Sequence, residues 1–394
     1  MCLISPEFLP TWGGIGTYTY NLARGLSKIA DVHVLTASLP PDGTNGFDPE
    51  NIHSVFPTNR SHRAPSQFRF QLAVLRRLPE LARRHSFEVL HANHAYMSDF
   101  FSRFRRTGAA RVLTVHSTLD TQIRGTREAG AGSPQQRVEG NLARWRFVLQ
   151  ALEGHYLGHT PSMIFVSRWV RDRTLSRYGV RPRVTAVIPN AVDTNLFAPE
   201  PNGAKGDDEG LSRTRTLLFA GRLLALKGID TLLRAMIRTA PDVRLLLAGP
   251  GDAGSWAARA RRLGLPADRC QFLGPVPYAE MPALYRRADA VVLPSFAESC
   301  PMVALEAMAS GIPLIAASAG GLSEIVRDGE TGWLFPPGDA DRLAAQIGTV
   351  LGDPGRARQV QRNARSWVDA QAGIDAMAAQ TMWFYEQALE GEAS

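Results

Sequence analysis

Thr216-Leu217-Leu218-Phe219-Ala220-Gly221-Arg222-Leu223-Leu224-Ala225-Leu226-Lys227-Gly228 decides how the chain is read. Its first five residues form a continuous run without charge, as expected for a parallel strand buried on both faces. Gly221 and Gly228 then punctuate a turn, and the amphipathic stretch Ile229–Arg238 reads as the helix that follows. Strand, glycine turn and helix make the repeating unit of a parallel sheet.

The same rhythm runs in both directions. Further strands are expected at Val32–Thr36, Val89–Ala92, Arg111–His116, Met163–Val166, Val184–Ile188, Val243–Ala248, Ala290–Pro294 and Leu314–Ala317. Helical patterns fall at Gly16–Leu26, Phe68–Arg84 and Met281–Arg287. The chain should therefore form two doubly wound α/β domains, with function in the loops that follow strands, about a central cleft. The polar, Gly/Pro-rich run from Pro199 to Gly210 reads as a linker. The expected division is 1–198, a linker at 199–212, and 213–377, with a last helix at about 378–394. Gly125 to Gly140 lacks periodicity and reads as a mobile loop, and no internal repeat is found.

Length and composition narrow the class. At 394 residues, 44% hydrophobic and 21% charged, the chain fits two globular domains rather than a disordered or disulfide-stapled one. No run is long and apolar enough for a spanning helix, and the N-terminus lacks the basic and apolar regions of a signal peptide. Cys2, Cys270 and Cys300 suit neither a disulfide framework nor a zinc site, so a reducing cytoplasm is the expected compartment. Residues 1–200 carry 24 basic against 15 acidic residues, while the remainder is slightly acidic. That asymmetry points to an anionic partner for the first half. No zinc-finger spacing, aromatic RNA-binding motif or heptad array accompanies it, so nucleic acid is not expected.

Several post-strand loops carry chemistry, and each also has an ordinary structural reading. Trp12-Gly13-Gly14-Ile15-Gly16-Thr17 opens a helix, where backbone N–H groups and the dipole receive an anion; otherwise it is a tight βα turn. Arg222 and Lys227 are five apart between glycines, and a planar fork with a point charge can grip a diphosphate. Only three lysines occur among 44 basic residues, which gives Lys227 weight against the reading of a solvated loop. Gly249-Pro250-Gly251-Asp252-Ala253-Gly254 matches G-x-G-x-x-G. It sits deep in the second half and Pro250 removes a donor, so no dinucleotide cofactor is expected.

Pro294 to Pro313 is the strongest stretch. Glu298 lies in a post-strand loop, and Glu306 lies seven intervening residues on, in a helix that Pro301 begins. Glu306 should face the cleft about two turns into that helix. Carboxylates without metal ligands nearby suit sugar hydroxyls, because ionised oxygens accept paired hydrogen bonds from a diol. The ordinary reading is a capping and a solvated glutamate. Asp339-Ala340-Asp341 fits a metal-holding D-x-D, yet its place after Pro336-Pro337-Gly338 makes it a helix cap and first-turn acid. His116, His91 and His94 cluster at strand ends, which favours a ligand contact for at least one.

Together these motifs resemble the retaining glycosyltransferases of family 4, which have the GT-B fold of two Rossmann-like domains. The resemblance covers nearly the whole chain. It rests on the N-terminal glycine loop, Phe165-Val166-Ser167 to Val187-Ile188-Pro189-Asn190-Ala191-Val192-Asp193, Gly221-Arg222 with Lys227-Gly228, and Glu298 with Glu306. Gly320-Gly321-Leu322-Ser323-Glu324-Ile325-Val326 and Gly329-Glu330-Thr331-Gly332 complete it.

The resemblance implies a nucleotide-sugar donor, UDP- or GDP-linked, and a hydroxyl acceptor such as a glycan, glycolipid or small metabolite. Arg222 and Lys227 would neutralise the donor diphosphate, Glu306 would accept from the ribose, and Glu298 would contact the sugar. Gly14 and Gly16 would let the first loop approach the phosphate, His116 would sit beside the transferred sugar, and the backbone at Val276 would receive the base. The loop of Cys300, Met302 and Val303 would line the donor site. Members usually carry a glycine there, and Pro301 has no amide hydrogen to give. Same-face attack without a protein nucleophile is implied, with no metal and no cofactor. The final helix, with Trp383-Phe384-Tyr385, would cross back onto the first domain. A non-catalytic GT-B-like module that binds a nucleotide or a membrane stays open as an alternative, as does a sugar-nucleotide epimerase.

Phe68–Arg84 sets Phe68, Phe70, Leu72, Val74, Leu75, Leu78 and Leu81 among arginines, with Arg103, Arg105 and Arg106 nearby. It suits peripheral contact with an anionic membrane or acceptor, or a solvated helix with a core face that Pro79 interrupts.

Overall fold

A computed structural model describes residues 1–8, 13–37, 47–56, 65–93, 97–104, 107–130, 146–199 and 214–393. The chain forms two compact units. Met1–Leu119, Phe147–Ala191 and Ile374–Ser394 make the first, and Asp120–Arg146 with Val192–Gly373 make the second.

The first unit opens with β1 (Cys2–Ser5), α1 (Gly14–Leu26), β2 (His33–Thr36), β3 (Ile52–Ser54), α2 (Pro65–His85), β4 (Val89–Asn93) and β5 (Ala110–Val115). The next helix in the chain, α3 (Leu119–Glu128), falls in the second unit from Asp120 on; the first unit resumes with α4 (Arg146–Gly158), β6 (Ser162–Phe165), α5 (Arg168–Tyr178) and β7 (Val184–Val187). The seven strands pair in parallel in the order β3-β2-β1-β4-β5-β6-β7.

The second unit repeats the pattern. It holds β8 (Arg215–Ala220), α6 (Ile229–Arg238), β9 (Val243–Ala248), α7 (Ala253–Arg262), β10 (Cys270–Gly274), α8 (Met281–Arg287) and β11 (Ala290–Leu293). It continues through α9 (Met302–Ala309), β12 (Leu314–Ala317), α10 (Leu322–Ile325), β13 (Trp333–Phe335), α11 (Ala340–Gly352) and α12 (Pro354–Gln371). Its six parallel strands run β10-β9-β8-β11-β12-β13. Leu217, Phe219, Leu245, Leu247, Val292 and Ile315 alternate onto one face of this sheet and share a core with α6, α7 and α11.

Every expected strand is present, with each end within one residue of expectation. Four strands escaped the sequence reading: β1, β3, β10 and β13. Ile52–Ser54 and Trp333–Phe335 are three residues each, too short for a pattern, and Cys270–Gly274 is a half-exposed edge strand.

Other expectations need correction. The loop from Gly125 begins inside α3, which continues to Glu128, with Gly125 against Ala297; residues 131–145 lie outside the described set. Pro79 does not interrupt α2, because proline removes one intrahelical bond while buried Leu78 and Leu81 anchor both sides of it. The helix spends Phe70, Val74, Leu78 and Leu81 on the core. Arg103 is likewise no surface charge, since it is buried against Asp99 at 3.1 Å; Arg105 and Arg106 lie outside the described residues.

α13 (Ile374–Ala393) belongs to the first unit, where Tyr385 reaches His91 and Lys28 pairs with Asp375 at 2.5 Å. Phe384 and Tyr385 are buried there, whereas Trp383 is exposed and takes no part in docking. Val192 N–H donates to Ala372 O, and the Arg365 guanidinium donates to the carbonyls of Thr194 and Phe197. Those bonds tie 192–197 to the second unit. Apart from Pro199, the expected linker at 199–212 lies outside the described residues.

Candidate active site

In the second sheet the strand order reverses between β8 and β11. The chain leaves β8 towards β9 and leaves β11 towards β12, which opens a crevice at their carboxyl ends. The loops after these two strands, 221–228 and 294–301, carry the basic pair and Glu298.

These loops are stitched together. Phe296 N–H donates to Leu226 O at 2.9 Å, and Gly321 N–H, from the loop after β12, donates to Glu298 O at 2.9 Å. Two glycines permit the approach. Gly228 has φ +70° with the Pro294 carbonyl where its β-carbon would be, and Gly320 has φ +61° with the Glu298 carbonyl in the same relation. Any side chain at either position would meet both backbone strain and a collision.

Side chains complete the junction. Lys227 Nζ donates to Glu298 Oε1 at 2.7 Å, and Ser295 Oγ donates to the same oxygen at 2.7 Å. Glu298 and Ser295 are buried, Lys227 is half-buried and Arg222 is exposed. Lys227 and Glu298 thus share one site, as their post-strand loops predict; Ser295 joins them with no sequence signal beyond its place three residues before Glu298.

Glu306 is the fifth residue of α9, just over one turn from its start rather than two, and it is buried. Tyr285 Oη donates to Glu306 Oε2 at 2.7 Å. Burial pushes the carboxyl up to about 7, with the tyrosine hydrogen bond pulling the other way. Tyr285 comes from α8 and stands edge-on to Phe197 at 5.8 Å; no sequence signal marked it. Cys300 and Met302 are buried at the start of α9, Val303 is half-buried, and Val276 is half-buried beyond β10.

The remaining motifs divide. Leu223 N–H donates to Pro250 O at 2.8 Å and Asp252 Oδ1 caps α7, so the G-x-G-x-x-G run packs two loops together. Asp339 caps α11 by accepting from Arg342 N–H at 2.8 Å, and Asp341 pairs with Arg238.

In the first unit, Gly14 and Gly16 lie in the first turn of α1 rather than in a free loop, and the Glu7 carboxylate crowds Gly13. His116 follows β5, buried, with Nε2 3.2 Å from Asn93 Oδ1 and its ring edge-on to Tyr18. His91 sits in the middle of β4, not at its end. It is held by Tyr385 Oη and Thr114 Oγ1 at 2.7 Å each, and burial lowers it to about 3. His91 is a neutral core residue, and His94 lies outside the described residues.

Similarity to known proteins gives the family and the fold. Residues 12–196 match the family described as Glycosyltransferase Family 4, and residues 207–367 match Glycosyl transferases group 1. A D-inositol 3-phosphate glycosyltransferase from Thermobispora bispora is 38% identical over 96% of this chain and 90% of its own length. A GDP-mannose-dependent alpha-(1-6)-phosphatidylinositol monomannoside mannosyltransferase from Mycolicibacterium smegmatis is 29% identical over 93% of each chain. The solved sucrose-phosphate synthase from Thermosynechococcus elongatus superposes with a TM-score of 0.81 at 26% identity, over 100% of this chain and 99% of that one.

Proposed function

We propose that this chain, which belongs to glycosyltransferase family 4 and has the GT-B fold, moves a hexose-type sugar from a UDP- or GDP-linked donor to a hydroxyl acceptor, retaining the anomeric configuration without a metal ion. The observation that carries the donor reading is the Lys227–Glu298 pair at the switch point of the second sheet. An arriving diphosphate outbids one carboxylate for the ammonium, because it brings more negative charge. Glu298, released from Lys227, is then free to accept from the sugar hydroxyls, while Ser295 keeps its oxygen oriented.

Arg222 and Lys227 stabilise the charge that grows on the diphosphate as the C1–oxygen bond breaks. The acceptor oxygen bonds C1 on the same face, and its proton passes to the departing diphosphate. Glu306 takes the ribose hydroxyls in place of Tyr285. Val276 contributes backbone to the base, and Cys300, Met302 and Val303 line the donor. Gly14 and Gly16 keep the start of α1 narrow enough for phosphate, and His116 contacts the transferred sugar.

Two relatives are named for phosphate-bearing acceptors, D-inositol 3-phosphate and a phosphatidylinositol mannoside. An anionic acceptor agrees with 24 basic against 15 acidic residues in 1–200. The exposed arginines of α2, Arg76, Arg77, Arg83 and Arg84, suit such an acceptor or an anionic lipid surface. Among the described residues no helix is long and apolar enough to cross a membrane.

The test is calorimetric titration with UDP, GDP and ADP, followed by transfer assays from the matching sugar nucleotides with the product anomer read by NMR. Tight binding of one diphosphate and an anomer unchanged from the donor are expected. An inverted product, or no diphosphate binding, overturns the reading.

A further inference from the structure

Three imidazoles from three elements of the first unit converge away from the strand ends described above. His33 is the first residue of β2, His53 lies in β3 and His85 is the last residue of α2. One donor nitrogen from each lies within 4.8 Å of the others. His33 Nδ1 and His53 Nε2 are 3.0 Å apart, with the rings parallel to within 6°. The His85 ring centre is 4.1 Å from that of His33 and 5.8 Å from that of His53. His33 is buried, and the other two are half-buried and open to an entering ion.

A fourth residue orients the cluster. Asp31 Oδ2 stands 3.3 Å from His33 Nε2, the nitrogen on the far side of the ring from His53. A carboxylate there draws the ring proton to Nε2 and leaves the Nδ1 lone pair facing the cluster. Metal-ligating histidines are characteristically held this way.

We propose that His33, His53 and His85 bind one divalent first-row transition ion of the zinc class, with Asp31 as the outer carboxylate. Bonds of about 2.0–2.1 Å in a tetrahedron place ligand nitrogens about 3.3 Å apart, so the His33–His53 spacing needs to open by only a few tenths of an ångström. Three imidazoles leave the fourth position to water. Three nitrogens without thiolate suit Zn²⁺, Co²⁺ or Ni²⁺ rather than Mg²⁺ or Ca²⁺. Because His33 opens β2, the ion lies at the amino edge of the sheet, opposite the ends that hold His116. It is a clip that fixes the end of α2 to β2 and β3, and it takes no part in sugar transfer.

The experiment uses the full chain, stripped with chelator and dialysed, and titrated with Zn²⁺ by calorimetry and with Co²⁺ by visible absorption. His53→Asn and His85→Asn are the test variants, each checked for fold by circular dichroism. His159→Asn is the control, because His155 on α4 and His159 just past its end form another imidazole pair, with rings 4.2 Å apart. One ion per chain is expected, bound at least tenfold more weakly by both test variants and equally by the control. Zn²⁺ should raise the melting temperature of the wild type and the control but not of the test variants. Absence of one-to-one binding in the wild type overturns the proposal without any variant. So does weakening in His159→Asn with His53→Asn and His85→Asn unaffected. If one test variant fails to fold, the other decides.

Discussion

Lys227 Nζ lies 2.7 Å from Glu298 Oε1, joining the loop after β8 to the loop after β11 across 71 residues of sequence. Glu298 is almost wholly buried and the Lys227 side chain is one-quarter exposed. Such a pair is weak evidence for stability, because desolvation offsets most of the attraction. On the function proposed above, an incoming diphosphate takes the cation away.

That exchange separates the two residues experimentally. Glu298→Ala removes the competitor for Lys227, so nucleoside diphosphate should bind as well as to wild type or better. Transfer should still fall about 10²-fold or more, the size of a lost transition-state contact. Lys227→Ala should lower kcat more than it raises the donor KM, since its charge matters most as the diphosphate leaves. Calorimetry and steady-state kinetics on both variants decide it. A Glu298→Ala protein that has lost diphosphate binding contradicts the exchange.

Glu306 gives a pH prediction whose sign can be worked out. Its folded carboxyl lies near 7, above the ordinary 4.5, because burial disfavours the charge. Below about 4.5 both folded and unfolded chains hold the proton; between 4.5 and 7 only the folded chain does. Stability from this group therefore falls as pH rises through that window, then levels off. Glu306→Gln lacks the titration, so its stability relative to wild type should grow between pH 5 and 7 by up to about 1.4 kcal/mol per unit. Urea unfolding of both proteins at several pH values measures the gap. Diphosphate affinity should tighten through pH 7 in wild type beyond any change in the Gln variant. A gap that ignores pH refutes the assignment.

Much of this was legible before any coordinates. Buried parallel strands such as Val243–Ala248 announce themselves because both faces are apolar, and the glycines after them mark where backbones meet. That Lys227 and Glu298 belong to one site is readable because both sit in post-strand loops of one domain; their ion pair is not. Tyr285 was not, since a tyrosine on a short helix has no pattern that points to a glutamate on another. Nor were His33, His53 and His85, whose separations follow no ligand motif and which only the strand order β3-β2 and the end of α2 bring together. His91 misled because a strand-end histidine and a mid-strand one look alike until the register is known.

The basic face of α2 predicts electrostatic contact with lipid. Phe70, Val74, Leu78 and Leu81 are spent on the core, so little apolar surface is left to insert beyond exposed Phe68. Flotation with anionic vesicles should occur at low salt and vanish near 0.5 M, where screening shortens to a few ångströms. Equal absence from anionic and neutral vesicles at low salt restricts the basic face to a soluble acceptor.

Catalysis and metal should come apart. Asp339 caps α11 and Asp341 pairs with Arg238, so neither is left to hold an ion on a nucleotide. Asp339→Ala should cost about 1 kcal/mol of stability, the worth of a helix cap, and leave kcat unchanged with or without Mn²⁺. EDTA should likewise leave kcat unchanged while lowering the melting temperature, because the ion it removes is the one at His33, His53 and His85. The two readouts on one chelated sample answer different questions. Transfer that stops with EDTA and returns with Mn²⁺ shows that a metal, not Arg222 and Lys227 alone, stabilises the leaving diphosphate. A melting temperature that EDTA does not move shows that the purified protein carries no ion at the histidine cluster.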